Sequence, residues 1–148
     1  MKVAILMGSE KDKPKMDACA AVLDDFGVEH EVHVMSAHRT PERVAAFATS
    51  ARANGFGVIV CGAGKAAHLA GVVAAHTTLP VIGIPIATGD LGGVDAMWST
   101  VQMPTGIPVA TVAVDGSGNA GYLAISILSV NDGNLADRLA SYREGLKG

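Results

Sequence analysis

The chain has 148 residues, 49% of them hydrophobic and 17% charged, with 18 glycines and a formal net charge of −3 at pH 7. That length suits one domain spanning 1–148. The lack of any run of about 18 apolar residues argues against a membrane span, and the lack of a Lys/Arg cluster argues against nucleic acid as a partner. So little charge leaves a surface that is apolar for a monomer, which points to self-association.

In chain order the pattern is strand, turn, helix, repeated. KVAILMGS (2–9) is a continuous apolar run ending in Gly-Ser, too short to be the apolar segment of a signal peptide. KPKMDACAAVLDDFG (13–27) carries Met16, Cys19, Ala20, Val22 and Leu23 at helical spacing. EVHVMSA (31–37) is the second strand. PERVAAFATSARANG (41–55) is the second helix, with Pro41 in its first turn and Gly55 at its end. GVIVCGAG (57–64) and KAAHLAGVVAAHT (65–77) form the third pair. LPVIGIPIA (79–87) is the fourth strand, and VDAMWSTVQ (94–102) is a short helix after a glycine-rich loop. IPVATVAV (107–114) is the fifth strand, followed by a helix over 118–130 and a last amphipathic helix over 134–146. Cys19 in a helix and Cys61 in a strand set no disulfide framework and read as buried, reduced thiols of a cytoplasmic protein.

Strands apolar throughout are buried on both faces, as in a parallel sheet covered by helices. Alternation with helices of this length indicates βαβ units with right-handed crossovers. The expected architecture is a three-layer αβα, flavodoxin-like fold with a five-stranded parallel sheet. It carries an extra C-terminal helix that, with no strand after it, is available to pack on a neighbouring subunit.

Ligands bind such sheets at the carboxyl ends of the strands. The loops leaving those ends are 7–12, 36–40, 62–65, 87–93 and 115–119, and the polar and glycine residues concentrate there. In the first loop, Gly8 permits close backbone approach, and Ser9 with the following N–H groups suits a phosphate. Asp12 either caps the helix or accepts bonds from sugar hydroxyls. The second loop, Ser36-Ala37-His38-Arg39-Thr40-Pro41, places a histidine beside an arginine. Arginine suits bidentate binding of phosphate or carboxylate, and histidine suits proton transfer in both directions near neutral pH. The third loop, CGAGKAAH, resembles a P-loop only superficially: Ile59 stands where the first glycine is needed, and Ala66 where Ser or Thr should follow Lys65. Gly8 lacks the further glycines of a dinucleotide fingerprint. His38 and His68 have no carboxylate or cysteine at ligand spacing, so no metal is expected. No serine stands in a nucleophile elbow, and His30, His33 and His76 read as surface or structural residues. The residues alone describe a phosphorylated small molecule bound by Ser9, Asp12 and Arg39, with His38 moving a proton.

MGSEKD, SAHRTPER, GAGKAAHLAG, LPVIGIPI, VQMPTGIPVATVAV and NAGYLAISIL, in this order over about residues 3–140, resemble the class I N5-carboxyaminoimidazole ribonucleotide mutase family of purine biosynthesis. The resemblance implies a flavodoxin-like homo-octamer with sites between subunits and neither metal nor organic cofactor. The implied reaction moves a carboxylate from the exocyclic nitrogen N5 to imidazole C4 through CO2 held in a closed pocket. His38 would be the catalytic proton donor and acceptor. Gly8, Ser9, Asp12, Ser36, Ala37 and Arg39 match substrate-binding positions, as do Gly64, Lys65, Ala66, His68 and Leu69 of the third loop. Three residues depart from the pattern: members usually have Gly for Lys65, Pro for Ala70 and Ser for Lys11. A second class carboxylates aminoimidazole ribonucleotide directly; it typically has Lys at the position of Arg39 and lacks the histidine matching His68. A flavin carrier on the same fold would need aromatics to flank the flavin, against 4% here. A non-catalytic binding protein would be expected to lack His38.

Overall fold

The apolar run Val3–Met7 is buried at every position because its strand, β1 (Lys2–Met7), is an interior strand of a sheet covered on both faces. The structure is a computed structural model that describes residues 1–89 and 91–148. β1 pairs in parallel with β2 (His30–Val34) on one side and β3 (Phe56–Gly64) on the other. β4 (Val81–Ile86) extends the sheet beyond β3, and β5 (Ala110–Thr111) closes it, giving the order β2-β1-β3-β4-β5. The fold is three-layered and flavodoxin-like.

The helices are α1 (Lys13–Asp25), α2 (Pro41–Ser50), α3 (Leu69–His76), α4 (Val94–Val101), α5 (Ser117–Ser129) and α6 (Gly133–Gly145). One core joins Ile5, Met7, Val58, Val60 and Ile84 to Met16 and Cys19 of α1 and Ala124 and Ile125 of α5. The other joins Leu6, Ile59 and Cys61 to Val44 of α2 and Leu69 and Val73 of α3. Both thiols are buried; burial pushes the Cys19 thiol up to about 12 and Cys61 higher still, so neither is a nucleophile.

Three expectations change. β5 is two residues long rather than eight. Pro108 brings no N–H to a ladder, and the flanking backbone is half exposed, so β5 is a short edge rather than a strand buried on both faces. α3 begins at Leu69, not Lys65, because Lys65 takes a left-handed φ of 55° and His68 N–H donates to Ala66 O at 2.9 Å in a turn. β2 is an edge strand whose His30 and His33 are half-buried; His33 bonds Glu31 at 3.0 Å and packs on Phe47. The extra C-terminal helix α6 buries one face on its own chain and leaves the other exposed. Leu135 and Leu139 join the first core, and Arg138 donates to Phe26 O at 2.7 Å and Asp25 O at 2.9 Å.

No helix among the described residues is long and apolar enough to cross a membrane. α4 lies over β4, where a Cβ on Gly83 would come within 2.4 Å of Thr100 Cγ2 and 2.9 Å of Val109 Cγ1. Gly83→Ala is therefore expected to force α4 outward and destabilise the fold by about 1–3 kcal/mol, readable in urea unfolding.

Candidate active site

In this strand order the chain leaves β1 in opposite directions, to β2 on one side and β3 on the other. The crevice outside their carboxyl ends is the ligand position of a flavodoxin-like sheet. A cleft of about 610 Å³ opens there. Its wall contains Gly8, Ser9 and Asp12 from the first loop and Ser36, Ala37, His38 and Arg39 from the second. The third loop adds Gly64, Lys65, Ala66, His68 and Leu69. All twelve residues singled out from the sequence thus line one cavity. Lys11, Ala63 and Thr88 line it as well. Thr88 follows β4, in a loop whose position was legible but whose composition singled out no side chain.

The second loop is built on Ser36. Its Oγ accepts from the backbone N–H of His38 at 3.3 Å and of Arg39 at 3.2 Å, and Thr40 closes the turn onto Ser36. A serine at this place folds the chain so that two adjacent side chains diverge. Arg39 reaches back to the first loop, its Nη2 donating to Gly8 O at 2.8 Å. His38 reaches the third loop: its Nε2 stands 2.7 Å from His68 Nδ1, with the rings edge to face at 4.8 Å. One nitrogen of that contact must donate and the other accept, so the two imidazoles share a proton position. Among the described residues no third His, Cys, Asp or Glu joins them in a metal-binding group.

Asp12 stands at the N-cap of α1 but makes no capping bond, which leaves its carboxylate to the cleft. Burial raises its pKa from the usual aspartate value, while the Ser9 backbone and the charges of Lys15 and Arg39 oppose the rise. Ser9 has a structural duty too, its Oγ accepting from Lys11 N–H at 3.3 Å over the turn Glu10–Asp12. Lys65 holds a conformation that glycine adopts freely. Thr88 lies over Gly64, its Oγ1 at 2.6 Å from the position of a Cβ there, and that hydroxyl is buried with no partner among the described residues. The cleft therefore carries three cationic side chains, Lys11, Arg39 and Lys65, against one carboxylate, in a chain that is acidic overall. Such a field favours an anionic ligand.

The family model described as AIR carboxylase matches residues 2–148. N5-carboxyaminoimidazole ribonucleotide mutase from Pyrococcus abyssi is 53% identical over 146 residues, which is 99% of this chain and 84% of that protein. Phosphoribosylaminoimidazole carboxylase from Saccharomyces cerevisiae is 51% identical over 140 residues, 95% of this chain but only 24% of that longer protein. A crystal structure of Treponema denticola PurE superposes with a TM-score of 0.89 at 32% identity, covering 98% of this chain and 90% of that one. With sequence, sheet order and nearly full-length coverage in agreement, this chain belongs to the AIR carboxylase family.

Proposed function

We propose that this chain is a mutase converting N5-carboxyaminoimidazole ribonucleotide to 4-carboxy-5-aminoimidazole ribonucleotide in purine biosynthesis. The observation that carries the reading is the His38–His68 contact at 2.7 Å, in a cationic cleft, in a chain half identical to proteins that bear the mutase name. His38 gives a proton to N5 as the bond between N5 and the carboxylate breaks, leaving aminoimidazole ribonucleotide and CO2. C4, made electron-rich by the neighbouring amino group, attacks the CO2. The imidazole, now neutral, removes the C4 proton and restores aromaticity. The proton lent in the first step returns in the second, so the reaction is a net isomerisation. His68 is the partner nitrogen that keeps the His38 ring aimed through both steps.

Ser9 and Arg39 bind the phosphate, and Asp12 accepts from ribose hydroxyls. Gly8, Ser36 and Ala37 shape one wall; Gly64, Lys65, Ala66 and Leu69 shape the other, beside the base and carboxylate. CO2 must be held between the two steps, and water excluded. Yet His38, Arg39 and His68 are exposed in the single chain. A neighbouring copy closes the cleft in this reading, within a homo-octamer. Leu91, just before α4, and Val94, Trp98 and Val101 on it support self-association: they are exposed apolar residues spaced along one strip. Cytoplasmic residence is part of the same reading, supported by two free, buried thiols.

The test is turnover of purified protein on N5-carboxyaminoimidazole ribonucleotide, in parallel with aminoimidazole ribonucleotide plus CO2. Rapid use of the first with slow use of the second is expected; efficient use of the second would replace the mutase with a direct carboxylase. His38→Asn should fold and bind substrate while kcat falls by about 100-fold or more, and near-normal turnover would remove His38 from the chemistry. Asp12→Asn should act oppositely on stability and binding. A carboxyl whose folded pKa is raised is disfavoured in its ionised form by folding. That penalty is absent below the unfolded-state pKa and grows as pH rises through the folded value. At pH 7 the Asn variant should therefore melt higher than the parent while its KM rises, as melting curves and kinetics on the same preparation would show.

A further inference from the structure

Lys15 and Asp115 are 100 residues apart in sequence, and neither lines the cleft. Together they close a ring around one residue. Asp115 Oδ1 accepts from Ala87 N–H at 2.9 Å, and Asp115 Oδ2 meets Lys15 Nζ at 2.8 Å. Lys15 Nζ in turn donates to Ala87 O at 2.6 Å. Both backbone polar groups of Ala87 are thus held by one ion pair. Asp115 takes φ 56° to reach it, a left-handed conformation that Asp tolerates better than most residues.

Ala87 is the first residue beyond β4, where ordinary sheet pairing has run out. β5 pairs with β4 at Ile82–Ala110 and Gly83–Thr111, and the backbone after it still donates to β4, from Val112 N–H to Gly83 O at 3.1 Å and from Asp115 N–H to Pro85 O at 2.9 Å. The carboxylate of Asp115 carries that edge beyond the end of β4, to Ala87. The next residue, Thr88, is a cleft residue packed over Gly64, with its hydroxyl buried and unpaired among the described residues. A buried unpaired hydroxyl is unfavourable, and such a placement persists where the surroundings over-determine it. The ring at Ala87 supplies that determination, and through Thr88 it sets where Gly64 and Lys65 stand. Both members of the pair are 37% exposed, and pairs so exposed add little to stability.

We propose that Lys15 and Asp115 are positioning residues that hold the β4 side of the substrate cleft, through Ala87 and Thr88, in its reactive geometry. The proposal rests on the mutase reading for its kinetic readout and on amide exchange for an independent one. Lys15→Met and Asp115→Asn should each lower kcat about tenfold, with KM changing less than about threefold, because the phosphate-binding residues lie across the cleft. The double variant should be no worse than either single one, and Lys15→Arg should restore most of the rate. Melting temperatures should stay within about 2 °C of the parent. Lys15 also acts electrostatically on Asp12, so the Asp115 variant, which leaves that cation in place, separates the two routes. Hydrogen exchange at Ala87 should quicken in both single variants whatever the substrate proves to be. Unchanged kcat in an active parent, a loss that tracks melting temperature, a loss with Lys15→Met alone, or unchanged exchange at Ala87 would each overturn the proposal. If the parent itself turns over neither ribonucleotide, the mutase reading fails, and exchange at Ala87 still decides whether the ring holds the loop.

Discussion

The carboxyl end of β1 is the point on which the molecule depends. Reversal of strand order around this interior strand opens a crevice there, and every catalytic candidate is carried to its rim by a loop. The crevice is tied across by side chains. Arg39 from the second loop bonds Gly8 O of the first at 2.8 Å, and His38 meets His68 of the third at 2.7 Å. Three loops that are distant in sequence are joined by two contacts made by neighbouring residues, which Ser36 holds apart. Rigidity at the site comes from this cross-tying, and the hydrophobic layers beneath keep the loop roots in place.

Charge is distributed to match. The chain is acidic, yet its cleft is lined by Lys11, Arg39 and Lys65, with Asp12 as the one carboxylate. Asp12 is held partly out of water without a capping bond, an arrangement that disfavours its own ionised form. Carboxylates kept in this way are better suited to accept from a ligand than to support the fold, and here the demands of site and scaffold diverge at a single residue. Lys65 shows the same divergence in the backbone, with a side chain at a position whose φ favours glycine.

Much of this was legible in the sequence because the signals were local. Apolar runs placed the four longer strands, and Pro41 and Gly55 bounded the second helical segment. The clustering of glycine and polar residues at strand ends located the cleft, and the family resemblance supplied those of the twelve lining residues that local chemistry did not single out. What was illegible depended on partners. The truncation of β5 follows from the absence of a second neighbour at the sheet edge, although its apolar composition resembles that of a buried strand. The late start of α3 reflects the left-handed Lys65, which periodicity does not encode. The inward fold of α6 requires Arg138 to find the carbonyls at the end of α1. The ring formed by Lys15, Asp115 and Ala87 joins the first turn of α1 to two loops through contacts that no spacing announces.

The strip along α4 has a consequence for spectroscopy. Trp98 is the chain's single tryptophan, and it is 54% exposed in the single chain, midway along that strip. Indole emission depends on contact with water, so tryptophan fluorescence from this protein, excited selectively over its two tyrosines, reports one location only: red-shifted when the α4 face meets solvent, blue-shifted when another surface covers it. Any association that covers this face can therefore be followed by the colour of one side chain, with no label attached and no residue of the cleft disturbed.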